Sequence, residues 1–173
     1  AESLAQFDVF IIGDLDSSYL TAAQQEAILD RVRGGAGLIM LGGYRALGPG
    51  GYAATPLAAV LPVDLGDRDI GQITDPFLPE LTAEGRQHPI FANITEFFPT
   101  ATGGPKIVGL PELDGCTKVL AARPGASVLA ICPVTPDRMP VLAVMPVDRG
   151  RSVVFPVDTT RKWQQGPRVL DQQ

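Results

Sequence analysis

Histidine is nearly absent from this chain: His88 is the only one, and Cys116 and Cys132 are the only thiols. With no CxxC spacing and no histidine near either cysteine, the chain lacks the ligand clusters of a zinc site. Two cysteines do not make a disulfide framework either, so two free, buried thiols are expected, since unpaired cysteine packs as a small hydrophobe. No basic run is longer than Arg161-Lys162, and the formal charge is −5, which leaves no electrostatic footprint for a phosphate backbone and argues against nucleic acid as a partner. No apolar run approaches the ~18 residues that cross a bilayer; the longest, around Val128 to Val134, is strand-sized, so the segment is not itself membrane-embedded. Residues 1–7 lack the basic and apolar regions of a signal peptide, and the compartment is left open.

What is present suits one globular domain spanning residues 1–173, because 45% apolar and 19% charged residues are far from the composition of disorder. A strand-like run begins almost at once, at Asp8, and the ending Asp171-Gln172-Gln173 carries no helix stop; both features suggest a piece of a longer protein. Phe7 to Gly13 (FDVFIIG) reads as a central strand buried on both faces of a parallel sheet. Thr21-Ala22-Ala23-Gln24 is a capping box that opens a helix, with Ala27, Ile28 and Val32 on its apolar face and Gln25, Glu26, Asp30 and Arg33 largely elsewhere. Gly34-Gly35 stops it, and Gly37 to Leu41 (GLIML) returns as a second strand, making a right-handed βαβ unit.

Thr55-Pro56 reads as the cap and first residue of a short helix through Val60. Pro62 to Leu113 is loop-rich, with a short helix only around Pro79 to Leu81. Four apolar runs then follow, Thr117–Arg123, Ser127–Cys132, Val141–Val147 and Ser152–Val157, with connections so short that they permit only antiparallel hairpins.

The order of strand FDVFIIGDL, helix TAAQQEAILDRVRGG, strand GLIMLGG, loop GPGGYAATPL and the late VVFPVDTTRKW resembles bacterial proteins described as putative glutamine amidotransferases. The resemblance implies a class I glutamine amidotransferase-like, flavodoxin-like α/β fold: a three-layer sandwich on a mostly parallel central sheet, here with C-terminal antiparallel hairpin strands. It also implies a parent protein that is larger and membrane-associated. Active relatives cut glutamine with a Cys on the tight turn after a central strand, aided by a His and a Glu after a late strand. The counterparts here, Met40-Leu41-Gly42-Gly43-Tyr44 and Val154-Phe155-Pro156-Val157-Asp158, contain none of the three, so no catalytic residue is assigned.

Ligands of open α/β sheets bind beyond the carboxyl ends of the strands, which makes Asp14, Gly42, Gly43, Tyr44, Arg45, Asp158 and Thr159 the candidate ligand-binding residues. Arg45 offers a fork for a carboxylate, and the glycines offer backbone N–H groups, but Gly48 to Gly51 fits neither the Walker nor the dinucleotide spacing. Asp14, Asp16, Asp64, Asp67 and Asp69 form no Asp-x-Asp-x-Asp-Gly loop, so no metal and no cofactor is expected. His88 reads as a loop residue bonded to backbone. Asp158 or Thr159 also reads as a helix cap, with Trp163 packed on the sheet.

The leading reading is a domain without glutaminase activity that binds a small polar ligand or other domains of its parent. One alternative is a divergent hydrolase using Asp14, Arg45, Asp158 and Thr159, which a buried carboxylate in a cavity would favour. Another is a purely structural interaction domain that docks through the edge strand of the hairpin region or the loop-rich middle, which a broad exposed apolar patch without a pocket would favour.

Overall fold

The computed structural model describes residues 2–165, so the ending Asp171-Gln172-Gln173 lies outside the described residues. Strand β1 (Val9–Ile12), helix α1 (Ala22–Arg33) and strand β2 (Gly37–Leu41) form the expected crossover, with β1 and β2 paired in parallel from Val9↔Gly37 to Ile12↔Met40. The capping box is present in full. Thr21 accepts from the Gln24 N–H, and the Gln24 side chain accepts from the Thr21 N–H at 2.9 Å. Ile28, Leu29 and Val32 are buried against the sheet. Gln25 is buried as well, contrary to the helical-wheel reading, because its amide donates to the carbonyls of Ser17 and Leu20 at 3.0 Å each and so satisfies the loop that enters the helix.

The middle of the chain supplies β3 (Gln72–Ile73), β4 (Glu80–Leu81), α2 (Ala83–Gln87) and β5 (Cys116–Thr117), joined by turns and short 3₁₀ segments. Residues 80–81 are therefore a strand and not a helix; the helix starts at Ala83, where Thr82 caps it by accepting from Gly85 N–H. The last three strands are β6 (Ser127–Ile131), β7 (Pro140–Val147) and β8 (Gly150–Phe155). They run as antiparallel hairpins as expected. The run from Thr117 to Arg123 does not join them: only Cys116–Thr117 is strand, paired with β3 in a separate two-stranded ribbon.

The main sheet has the order β1-β2-β8-β7-β6-β4. β1, β2 and β8 are parallel neighbours, the remaining contacts are antiparallel, and β1, β2, β8 and β6 all point the same way, which makes a mixed α/β sheet. β1 is thus an edge strand and not a central one. Phe10 and Ile12 are buried under α1, whereas Val9 and Ile11 are 53% and 64% exposed on the other face. The apolar run misled because continuous hydrophobicity marks burial on both faces only when both faces are covered.

One core lies between the sheet and α1, where Phe10, Ile12, Leu38, Met40 and Val154 meet Ile28, Leu29 and Val32. On the opposite face a smaller cluster of Leu81, Phe91, Phe98, Leu129, Ala130 and Leu142 gathers over β4, β6 and β7, with Val153 and Phe155 of β8 packed against it. Short 3₁₀ segments, Pro89–Phe91 and Thr95–Phe97, bring Phe91 and Phe97 to that cluster, and among the described residues nothing covers the same face over β1 and β2.

The segment Pro56–Val60 is a short 3₁₀ helix with Pro at its first position, but the Thr55 hydroxyl does not cap it; it donates to the Tyr52 carbonyl at 2.8 Å. Tyr52 itself is fully buried, and its hydroxyl has no hydrogen-bond partner among the described residues. Burial pushes its phenol up to about 12, with the Asp16 carboxylate adding to the effect. Below pH ~10 the phenol is neutral in the folded and unfolded chain alike; between about 10 and 12 only the unfolded chain ionises, so stability is lost as pH rises. Urea unfolding of the Tyr52→Phe variant is expected to give equal stability at pH 7, or a gain of up to about 1 kcal/mol, because an orphaned hydroxyl is removed. At pH 11 to 12 the parent should lose on the order of 1–2 kcal/mol that the variant retains; a variant clearly weaker at pH 7 would mean that the hydroxyl has a partner.

Candidate functional site

The loops that leave β1, β2 and β8 at their carboxyl ends meet, as the sequence reading requires. Gly42 N–H continues the sheet by donating to the Phe155 carbonyl at 2.9 Å, and its Cα is pressed so close to Pro156 that a Cβ would overlap the Pro156 carbonyl group. Gly43 has φ 144°, a conformation in which a side chain is strained, and a Cβ there would run into the carboxylate arm of Asp14. That carboxylate accepts from the Arg45 N–H at 2.5 Å. The glycine-rich loop that follows is tied back to the first loop through Ser17 N–H, which donates to the Gly50 carbonyl at 2.8 Å.

Thr117 locks this rim from below. Its hydroxyl lies 3.0 Å from both Gly43 N and Gly43 O, accepting from the first and donating to the second, and its own N–H donates to the Pro156 carbonyl at 2.8 Å. A fully buried side chain thereby clamps the loops after β2 and β8 together. Nothing local predicts this, because the partners lie far apart in sequence; the sequence reading took Thr117 only as the start of a strand.

The structure brings Asp14, Gly42, Gly43 and the Arg45 backbone together, with Asp158 one residue beyond the Val157 that abuts Gly42. Asp14 is engaged by the Arg45 N–H, whereas the side chains of Arg45 and Asp158 are exposed. Tyr44 is 75% exposed and points away from any core, and Thr159 accepts from Asp114 N–H at 3.2 Å instead of facing the rim. Lys162 pairs with Asp114, and the Trp163 indole donates to the Pro111 carbonyl at 2.9 Å while packing against Phe98 and Phe155. Asp16 caps the turn at Ser17, and the Ser18 hydroxyl and N–H hold its carboxyl below the usual range.

The remaining candidates from the sequence are structural in their bonding. His88 Nδ1 accepts from Ile90 N–H at 3.2 Å, and Asp64 and Asp69 accept from the glycine N–H groups two residues on. No group of three or more His, Cys, Asp or Glu assembles among the described residues. Both cysteines are free and buried. The hydrogen bond to Cys132 and then burial push the Cys116 thiol well above its ordinary value, so it stays protonated and is a poor nucleophile.

Two cavities lie elsewhere. One, of about 650 Å³, sits beside the β4 edge and is lined by Glu80, Thr82, Arg86, Thr95, Lys106 and Arg138 among others. Glu80, which the sequence reading missed, is 7% exposed and accepts from Arg138 Nη2 at 2.6 Å. The other, of about 490 Å³, is an apolar groove on the sheet face opposite α1, lined by Ile39, Leu41, Leu142, Val153, Phe155 and Trp163 among others.

Residues 1–171 match the family model described as "Putative glutamine amidotransferase". The chain belongs to this family. No curated protein matches the chain. Among solved structures, the chain is similar to the cytoplasmic protein STM3548 from Salmonella typhimurium, at 24% identity and TM-score 0.69 over 91% of this chain and 63% of that one. It is also similar to the cytoplasmic protein STM1381 from Salmonella typhimurium LT2, at 27% identity and TM-score 0.68, again over 91% and 63%. A β-galactosidase from Rahnella sp. R3 shares the fold at 14% identity and TM-score 0.55, over 92% of this chain and 22% of that one. The chain therefore spans less than two thirds of the length of the structures it matches.

Because the rim is held by contacts that admit no side chain, Gly42→Ala is expected to cost roughly 2–4 kcal/mol in a denaturant titration. Thr117→Val, which keeps shape and removes the hydroxyl, is expected to cost about 1–3 kcal/mol, with Thr117→Ser closer to the parent. Equal stability of the valine variant would show that the rim does not depend on the Thr117 bonds.

Proposed function

We propose that this chain is a glutamine amidotransferase-like module without glutaminase activity, which serves a larger bacterial protein by binding another part of it or a small polar ligand. One observation carries the reading: the bend after β2, where the family's nucleophile belongs, is filled by Gly42 and Gly43, and neither has room for a side chain. The late strand ends in Phe155-Pro156-Val157-Asp158 with no base, and His88 is engaged by its own turn. Attachment of the parent to a membrane rests on the sequence resemblance alone; among the described residues no helix is long and apolar enough to cross a bilayer.

The hydrolase alternative calls for a buried carboxylate among Asp14, Arg45, Asp158 and Thr159; the buried carboxylate beside a cavity lies elsewhere, at Glu80. Its bond to Arg138 argues for a strut, since a guanidinium at 2.6 Å holds the side chain in place and ties β4 to the β6–β7 turn. The binding reading is favoured over it by the bare apolar face of the sheet, because large exposed apolar patches mark interaction surfaces.

The experiment is glutamine hydrolysis. The purified chain incubated with glutamine is expected to release no glutamate above buffer, and Cys116→Ser and Cys132→Ser are expected to leave that result unchanged. Release that either variant abolishes would overturn the reading and identify an unforeseen cysteine site.

A further inference from the structure

Strand register puts Ile11, Ile39 and Val153 side by side on the face away from α1, with Leu41, Phe155, Leu142 and Ala130 in the next row. Val9 precedes Ile11 on the same face, and both stand more than half exposed. Over β6 and β7 this face is roofed by Phe91, Phe97 and Phe98, with Trp163 and Leu110 at the flank. Over β1 and β2 nothing covers it among the described residues. The boundary is the groove of about 490 Å³, whose lining is carbon almost throughout, with Ile90 and Ile94 exposed on its outer wall.

We infer that this bare face is the seat of one amphipathic α-helix belonging to the same polypeptide outside residues 1–173. Three arguments fix the occupant. Parallel strands are covered on both faces in almost all α/β proteins, and here β1 and β2 are left bare on one side, with β8 covered only in part by Trp163. From the axis of β1 to that of β8, two spacings of about 4.8 Å span roughly 10 Å, the diameter of a helix with its side chains. The solved relatives that match 91% of this chain carry more than a third of their own length outside the match, so the family possesses chain from which such a layer is built. The inference rests on the reading of this chain as one module of a larger protein and names the surface that module uses.

Charge supports the orientation. Arg151, at the amino end of β8 and on the same face as Val153, is exposed and makes no ion pair among the described residues. It is positioned for the carboxyl end of the helix or for an acidic side chain there. The helix would present apolar residues at i, i+3, i+4 and i+7 to Ile11, Ile39, Leu41 and Val153.

The test places a reporter thiol at the most exposed of these positions, Ile11→Cys, with Cys116 and Cys132 already buried. Maleimide labelling is followed in the chain 1–173 and in the natural polypeptide from its own start to its own stop, each checked by circular dichroism. The expected result is rapid labelling of the chain at any concentration and at least tenfold slower labelling of the natural polypeptide. A benzophenone maleimide on the same thiol should then crosslink to a segment outside 1–173 with a helical apolar repeat. Equal rates, a natural polypeptide with no further segment, crosslinks within 1–173 or to a segment lacking that repeat, or concentration-dependent protection of the chain by a second copy would each overturn the inference. Glutamate release would sink the non-catalytic reading without altering the labelling, whereas equal labelling without glutamate release would sink this inference alone.

Discussion

The parallel pairing of Gly37–Leu41 with Arg151–Phe155 is the constraint on which the rest of the structure depends. It inserts a late strand beside an early one, so the βαβ unit at the start of the chain and the hairpins at its end become one sheet with one core under α1. The same pairing sets Gly42 against Pro156 and thereby decides that the bend after β2 is backbone against backbone. Thr117 and Ser152 reinforce it from the two sides. Thr117 joins the loops beyond the pair, and the Ser152 hydroxyl donates to the Val60 carbonyl beneath it. Buried hydroxyls used in this way satisfy backbone groups that no strand or helix can reach.

The rim at the carboxyl ends has the location of a ligand site, and several of its polar groups bond one another: Asp14 accepts from Arg45 N–H, Thr117 bonds both polar backbone atoms of Gly43, and Thr159 accepts from Asp114 N–H. Two cavities lie elsewhere, against the opposite sheet face and at the β4 edge. Family membership does not by itself bring a family's chemistry, because the fold is specified by strand order and core packing while the chemistry needs a few side chains at one bend.

Local chemistry was legible in the sequence and long-range assembly was not. The Thr21–Gln24 box, the βαβ order, the hairpins after Ser127 and the proline at the start of the 56–60 turn are written within a few residues of where they act. The edge position of β1 was hidden because FDVFIIG is apolar at every position that counts, whichever face is covered. Gln25 reads as a surface residue until the carbonyls of Ser17 and Leu20 are known to need it. Glu80 and Thr117 were missed for the same reason: their partners, Arg138 and Gly43, are brought to them by the sheet. Of the candidate rim, the glycines and Asp14 could be read from punctuation after strands, whereas the fact that they fill one another's space could not.

The distance along the chain between β2 and β8 also bears on synthesis. Gly37 leaves the ribosome more than a hundred residues before Arg151, the residue it pairs with. At typical translation speeds that interval is on the order of ten seconds. Throughout it β2 has β1 on one side and an unsatisfied hydrogen-bonding edge on the other, flanked by Leu38 and Met40 with no completed core. Such an edge is a template for pairing with neighbouring nascent chains until the β7–β8 hairpin emerges to cover it.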